Sequence, residues 1–167
     1  MINEIKKENL IWIAGFFDGE GNIHLRHSKP TYANPNGQYQ LSITIVHTNK
    51  DILNNFLTFG GHIYKNYKTK EKHTESYIWR ITGLKAKPFL EAILPYLRLK
   101  RDVTIIALKF IDTLMSKEYA KKLGLSQELI EQRDILIQEY RKLQPLSAKG
   151  RKPKEVEKVK IHNSKLN

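Results

Sequence analysis

The chain has 167 residues, about the size of one domain, and 40% of them are hydrophobic, enough for one packed core. Its 29 Lys plus Arg against 17 Asp plus Glu give a formal net charge of +12, which points to a polyanion, either nucleic acid or an acidic membrane surface. The absence of cysteine excludes disulfide scaffolds and thiolate–metal sites.

No apolar run is long enough to span a bilayer. The first eight residues carry Glu4 and Glu8 among their lysines and do not read as a targeting peptide. The expected location is therefore the compartment of synthesis, a prokaryotic cytoplasm or an organelle that encodes the protein.

Leu10 to Phe17 is apolar almost without interruption, with Asn9 before it as an N-cap and Gly19 and Gly21 after it as stop signals. A short helix is expected there. Being apolar all round, it needs burial all round: one face on its own core, the other under a further cover.

Ile23–Ser28 and Gln40–Val46 alternate with period two and read as half-buried strands, joined as a hairpin by the Pro30–Gly37 loop. Asp51–Phe59 reads as a short helix ending at Gly60-Gly61. His62–Lys68 and Ser76–Thr82 read as a second hairpin, with Tyr77, Trp79 and Ile81 in the core. Helical periodicity then covers Leu84–Leu97, with Pro88 in its first turn, Asp102–Met115 and Gln127–Leu143. The order predicts an α+β fold, an antiparallel sheet with helices on one face. Residues 1–145 form one domain and residues 146–167 a Lys-rich basic tail.

The strands present His24, Arg26, Ser28, Gln40, Ser42, Thr44, His62, Tyr64, Asn66, Lys68, Ser76 and Arg80 outward. An ordinary solvated face would mix acids with these, and none is present. Arg and Lys pair with guanine, Gln and Asn with adenine, Ser and Thr with either, so such a face is suited to reading base edges. A plain polar face is the alternative.

Asp18 and Glu20 stand at the C-terminal end of the first helix. The macrodipole is negative there, so each acid costs about 0.3–1 kcal/mol. No Lys or Arg follows until Arg26, so a divalent cation is the expected compensation. A carboxylate and helix-end carbonyls are hard oxygen ligands of the kind Mg²⁺ takes. A simple Asp-Gly-Glu-Gly turn is the alternative.

Leu10–Gly21, LIWIAGFFDGEG, resembles the signature of the LAGLIDADG homing endonucleases. Gln40–Ser42 through Thr48–Lys50 looks like the second strand of the single-motif members, and Pro95–Lys100 like their late basic segment. The resemblance spans roughly residues 10 to 115. It implies an αββαββα fold whose saddle-shaped sheet lies on DNA. It also implies a homodimer, because one motif offers one acid, with the first helix packed on its twin through Ile11, Ala14, Gly15 and Asp18.

The same resemblance makes Glu20 the metal-binding acid, joined by the carbonyl of Gly19. It makes Asn49 a residue that orders water near the scissile phosphate, and Lys100 one that polarises water or stabilises charge. Glu replaces the commoner Asp at position 20, and the basic residue expected a few positions after Lys50 is not evident in Asp51-Ile52-Leu53. The implied activity is metal-dependent, staggered cleavage of a long pseudo-palindromic duplex. Mg²⁺ is the expected cofactor, with Mn²⁺ as a substitute and Ca²⁺ as an ion that binds without supporting cleavage. An intron RNA maturase and a non-cleaving DNA-binding regulator on the same fold are the rival readings; a membrane partner is not expected.

Overall fold

The computed structural model describes residues 5–29, 32, 37–66, 74–114 and 126–144. Lys68, Met115, most of the first hairpin loop, part of the second hairpin tip and the basic tail lie outside the described residues.

Helix α1 (Lys7–Glu20) leads into β1 (Gly21–His27) and β2 (Tyr39–His47). Helix α2 (Lys50–Asn54) precedes β3 (His62–Asn66) and β4 (Ser76–Thr82). Helices α3 (Lys87–Ile93), α4 (Arg101–Asp112) and α5 (Gln127–Leu143) follow. The four strands form one antiparallel sheet in the order β1-β2-β4-β3. The fold is the expected α+β arrangement, with helices on one face.

Alternation carries the packing. Ile23, Leu25, Leu41, Ile43, Ile45, Trp79 and Ile81 are all buried on the inner face. Phe89 of α3 is the hub beneath them, with its ring 5.3 Å from Phe17, 5.1 Å from Phe59 and 5.1 Å from Trp79. Burying such side chains contributes about 1.5–3 kcal/mol each. The Trp79 indole keeps its hydrogen bond by donating to the Gly60 carbonyl at 3.0 Å, so its burial leaves no orphan donor. Gly60 and Gly61 both hold positive φ, +89° and +77°, and make that turn into β3.

Helix α5 closes the far end of the β1–β2 ribbon. Its buried residues Arg133, Leu136, Ile137 and Tyr140 recur at helical spacing. The Tyr140 hydroxyl donates to the Ile23 carbonyl of edge strand β1 at 2.6 Å. Arg133 donates to the Thr113 hydroxyl and carbonyl and lies over the Tyr39 ring. Its buried charge is thereby hydrogen-bonded, as such burial requires.

Several boundaries differ from the sequence expectation. Helix α1 begins at Lys7 with Lys6 at the N-cap position, so Asn9 lies inside the first turn and caps nothing. It also runs through Gly19 to Glu20. The segment 84–97 is not one helix: 3₁₀ turns at Gly83–Ala86 and Leu94–Tyr96 flank α3. Pro95 ends α3 because it has no N–H to donate and its ring clashes with the preceding turn, whereas Pro88 sits in the first turn as expected. Helix α2 stops at Asn54, and a 3₁₀ turn at Leu57–Phe59 completes that segment. Tyr77 is half-buried rather than core.

Gly21 is required for space, not for backbone freedom. Its φ is −75°, yet a Cβ there would overlap the Phe17 ring and the Phe17 carbonyl oxygen. Gly21→Ala is therefore expected to destabilise the fold by about 1–3 kcal/mol, the usual cost of overpacking, read as a lowered urea midpoint with an unchanged denaturant slope.

Candidate nucleic-acid interface and cleavage site

The register converts the strands' outward positions into rows across the sheet. Arg26 pairs with Gln40. His24 pairs with Ser42, which pairs with Thr82. Asn22, Thr44, Arg80 and His62 form one row across all four strands. Val46, Ile78 and Tyr64 form the next, and Ser76 with Asn66 the last. No Asp or Glu occupies an outward position among the described residues of the four strands.

Asn22 and Thr82 belong to this face and were not among the expected residues. The signal was the same period-two parity, carried one step beyond the assigned end of the first strand and to the end of the last.

The face is partly pre-arranged. Arg26 Nε donates to Gln40 Oε1 at 2.7 Å, and Gln40 Nε2 donates to Gln38 Oε1 at 2.7 Å. This relay aims the arginine while leaving its two terminal nitrogens as donors. Arg80 lies over the Tyr64 ring at 5.4 Å, and its Nε is buried without a hydrogen-bond partner. Asn66 donates to Ser76 across the strands at 3.1 Å. Ser28 is different: its hydroxyl accepts from the Gln38 N–H at 2.9 Å, closing the hairpin.

At the end of α1 the fold supplies its own compensation, which corrects the argument that a cation must do so. Asp18 Oδ2 accepts the Arg98 N–H at 2.7 Å and the Leu99 N–H at 3.2 Å, and Oδ1 accepts the Lys100 N–H at 2.9 Å. The Lys100 ammonium donates to the Asp18 backbone carbonyl, at the negative end of the helix dipole. Burial pushes the Asp18 carboxyl up, but the N–H groups of Arg98, Lys100 and Leu99 and the Lys100 charge outweigh it. The net result lies below its ordinary 3.8. Burial pushes the Lys100 ammonium down, against the raising charges of Asp18 and Glu20.

Asp18, Glu20 and Lys100 are thus brought together, and Gly19 lies between the two acids. Glu20 and Gly19 are exposed. Asn49 is not drawn into this cluster by any contact: its side chain accepts from the Asp51 N–H at 2.8 Å and caps α2. Leu53, in the Asp51-Ile52-Leu53 stretch that lacks the expected basic residue, is buried in the core.

Of the residues expected on the twin helix, Ile11 is 49% exposed, and a Cβ on Gly15 would meet nothing within 4 Å. Ala14 is 0% exposed within the protomer, buried on the same side as Ile13 and Phe17. Trp12, 45% exposed, joins the open side.

A sequence profile described as LAGLIDADG endonuclease matches residues 13–112, more than half of the chain. The chain belongs to the LAGLIDADG endonuclease family. No curated protein sequence matches.

Among solved structures, the homing endonuclease I-CvuI, in complex with the I-CreI target in 2 mM Mg with the DNA not cleaved, is similar at TM-score 0.67 and 21% identity. That match covers 86% of this chain and 87% of that one. The archaeal intron-encoded I-Vdi141I, complexed with DNA, is similar at TM-score 0.63 and 16% identity over 87% and 88% of the two chains. I-SmaMI bound to uncleavable DNA is similar at TM-score 0.62 and 17% identity; the match covers 85% of this chain but 48% of that one. These likenesses are of fold. Leu10–Gly21, the segment that carries the resemblance, lies on α1 and the first residue of β1.

The Asp18 carboxylate gives a pH-dependent prediction. Its folded value is lowered, so its contribution is fully present above the unfolded value of 3.8 and is lost as the pH falls through the folded one. Asp18→Asn should be less stable than the parent at neutral pH. Urea midpoints of the two proteins should converge only as the pH falls from 3.8 through the lower folded value.

Proposed function

We propose that this chain is a homodimeric, metal-dependent homing endonuclease that makes a staggered double-strand break at a long pseudo-palindromic site. The observation that carries this reading is the end of α1, where an exposed acid, a helix-end carbonyl and a positioned lysine adjoin a sheet face free of acids among its described residues.

The donor set fits a divalent cation such as Mg²⁺ held in part by the protein. Among the described residues no group of three or more His, Cys, Asp or Glu could hold a metal alone. Mg²⁺ commonly keeps several waters and takes one or two carboxylates plus phosphate oxygens. Glu20, with the carbonyl of Gly19, would hold it. Mn²⁺ is a suitable substitute, and Ca²⁺ is expected to bind without supporting cleavage. When bound, the ion supplies Lewis-acid stabilisation of the phosphate and a more acidic water.

The chain's own residues do the rest. Asp18 grips three consecutive amides and so fixes where Lys100 leaves the backbone. The Lys100 ammonium, held at the helix end, stabilises charge at the phosphate. Asn49 keeps its amide nitrogen as a donor for a water while its oxygen caps α2. Outward side chains of the sheet, His24, Arg26, Gln40, Ser42, Thr44, His62 and Arg80 among them, read base edges in the major groove.

One chain carries one Glu20, and its match spans 48% of I-SmaMI. A second copy is the simplest source of the second half. The open side of α1, with Ile11, Trp12 and Gly15, is the surface offered to it. Leu99, 80% exposed beside the α1 end, extends that apolar side.

Glu20→Gln should bind its target duplex with little change in affinity and cut neither strand, in Mg²⁺ as in EDTA. Dimers mixed from parent and variant chains should nick one strand only. Cutting by the variant at the parental rate, or full double-strand cutting by mixed dimers, overturns the assignment. Binding of intron RNA in preference to any duplex favours the maturase reading instead.

Arg26→Ala should relax specificity at one outer base position per half-site, costing about 1–3 kcal/mol there. A loss spread evenly over all sequences would mark Arg26 as a phosphate contact.

A further inference from the structure

One row of the outward face breaks its chemistry. Val46 of β2 stands opposite Ile78 of β4, which stands opposite Tyr64 of β3. Every other outward position described on the four strands is polar. Val46 is 42% exposed, and Ile78 and Tyr64 are half-buried. None of the three side chains can turn inward, because Ile45, Trp79 and Ile81 occupy the inner face at 0–2% exposure.

Single exposed apolar residues need no explanation. Two aliphatic side chains and a tyrosine ring in register across three strands, next to the Arg80 row, form a band. On a face otherwise built of donors and acceptors, a band of this kind fits the one apolar group that a base pair presents in the major groove, the thymine 5-methyl.

We propose that Val46, Ile78 and Tyr64 form a reading row that packs against thymine methyl groups of the target duplex. The proposal rests on the reading that this face binds DNA.

The register also says where in a half-site the row acts. Gly21 pairs with Ile45, so Glu20 leaves α1 at the level of Val46. The apolar row is therefore on the cleavage side of the Arg80 row, and the Arg26–Gln40 row lies three rows farther out. Rows on one face are spaced by two residues, roughly 6.8 Å, or about two base-pair steps. The thymines read by the row occupy about two adjacent base pairs toward the centre of the site, and Arg26 acts about six base pairs farther out. Tyr64 is held for this task by the Arg80 guanidinium on its ring.

The test uses the full chain carrying Glu20→Gln, so that bound duplex stays intact. Duplexes are selected from a random library, and the enriched site is resynthesised with deoxyuridine for thymidine, position by position, which removes only the methyl. Loss of about fourfold in affinity per methyl is expected at one or two inner positions of each half-site, the size of burying one such group. It should vanish at outer positions. Adding Val46→Ala or Ile78→Ala should shrink that thymine-over-uracil ratio toward one.

Equal affinity for the thymine and uracil duplexes overturns the proposal, and the unsubstituted sheet face supplies that result even if a variant fails to fold. A thymine effect confined to the outer positions, or one that Val46→Ala and Ile78→Ala leave intact, overturns it too. If no duplex is enriched at all, the DNA-binding reading itself falls and takes the row with it; a site enriched without any methyl effect removes the row alone.

Discussion

The structure depends on one constraint: a single sheet layer has two faces, and only one is covered. Every strand must send alternate side chains to the aromatic hub around Phe89, and each inward residue forces its neighbours outward. Slipping any strand by one residue would drive Trp79 or Ile43 into solvent and bring Arg80 or Thr44 into the core. The cost of that exchange, several kcal/mol of burial and desolvation, locks the register. The outward rows therefore have fixed partners because the inward rows are packed. The outward face is held in place from behind.

The second dependency runs through α1. A helix with two acids in its last turn is unfavourable in isolation. Here the segment before α4 supplies three N–H groups to Asp18 and an ammonium to the Asp18 carbonyl. One set of contacts ends the helix, anchors the entrance to α4 and sets Lys100 near Glu20. Asp18 thereby fixes the backbone of residues 98–100 within its own protomer. Glu20, two residues on, is left exposed, with the Lys100 charge near it. The two acids of the motif are separated by environment alone.

Helix α1 has two unlike sides. Ile13, Ala14 and Phe17 bury one side against the protomer's own core. Ile11 and Trp12 stay half in water, and Gly15 leaves room beside them. Half-open apolar helices of this kind call for a second cover. Ala14 is already spent on the inner side, so any close approach of a second helix uses Gly15.

The sequence by itself determined most of the architecture. Period-two alternation located the four strands, 3.6-residue periodicity located the bounds of the last helix, and the apolar run with its terminal acids pointed to the family. It did so because burial acts on each residue locally and leaves a pattern along the chain. What it could not decide was anything that required two distant segments to meet. Along the chain the α1 end meets no basic residue before Arg26, and its compensation comes from residues 98–100. Asn9 had the right side chain for a cap, but the helix began earlier, at a residue with no side-chain cap. Asn49 proved to be a cap as well as a candidate for ordering water. The order of strands, β1-β2-β4-β3, and with it the apolar row beside the Arg80 row, exists only in the folded sheet. Hydrogen bonds and charge pairs act through space, so tertiary structure chose the partners that the sequence could only offer.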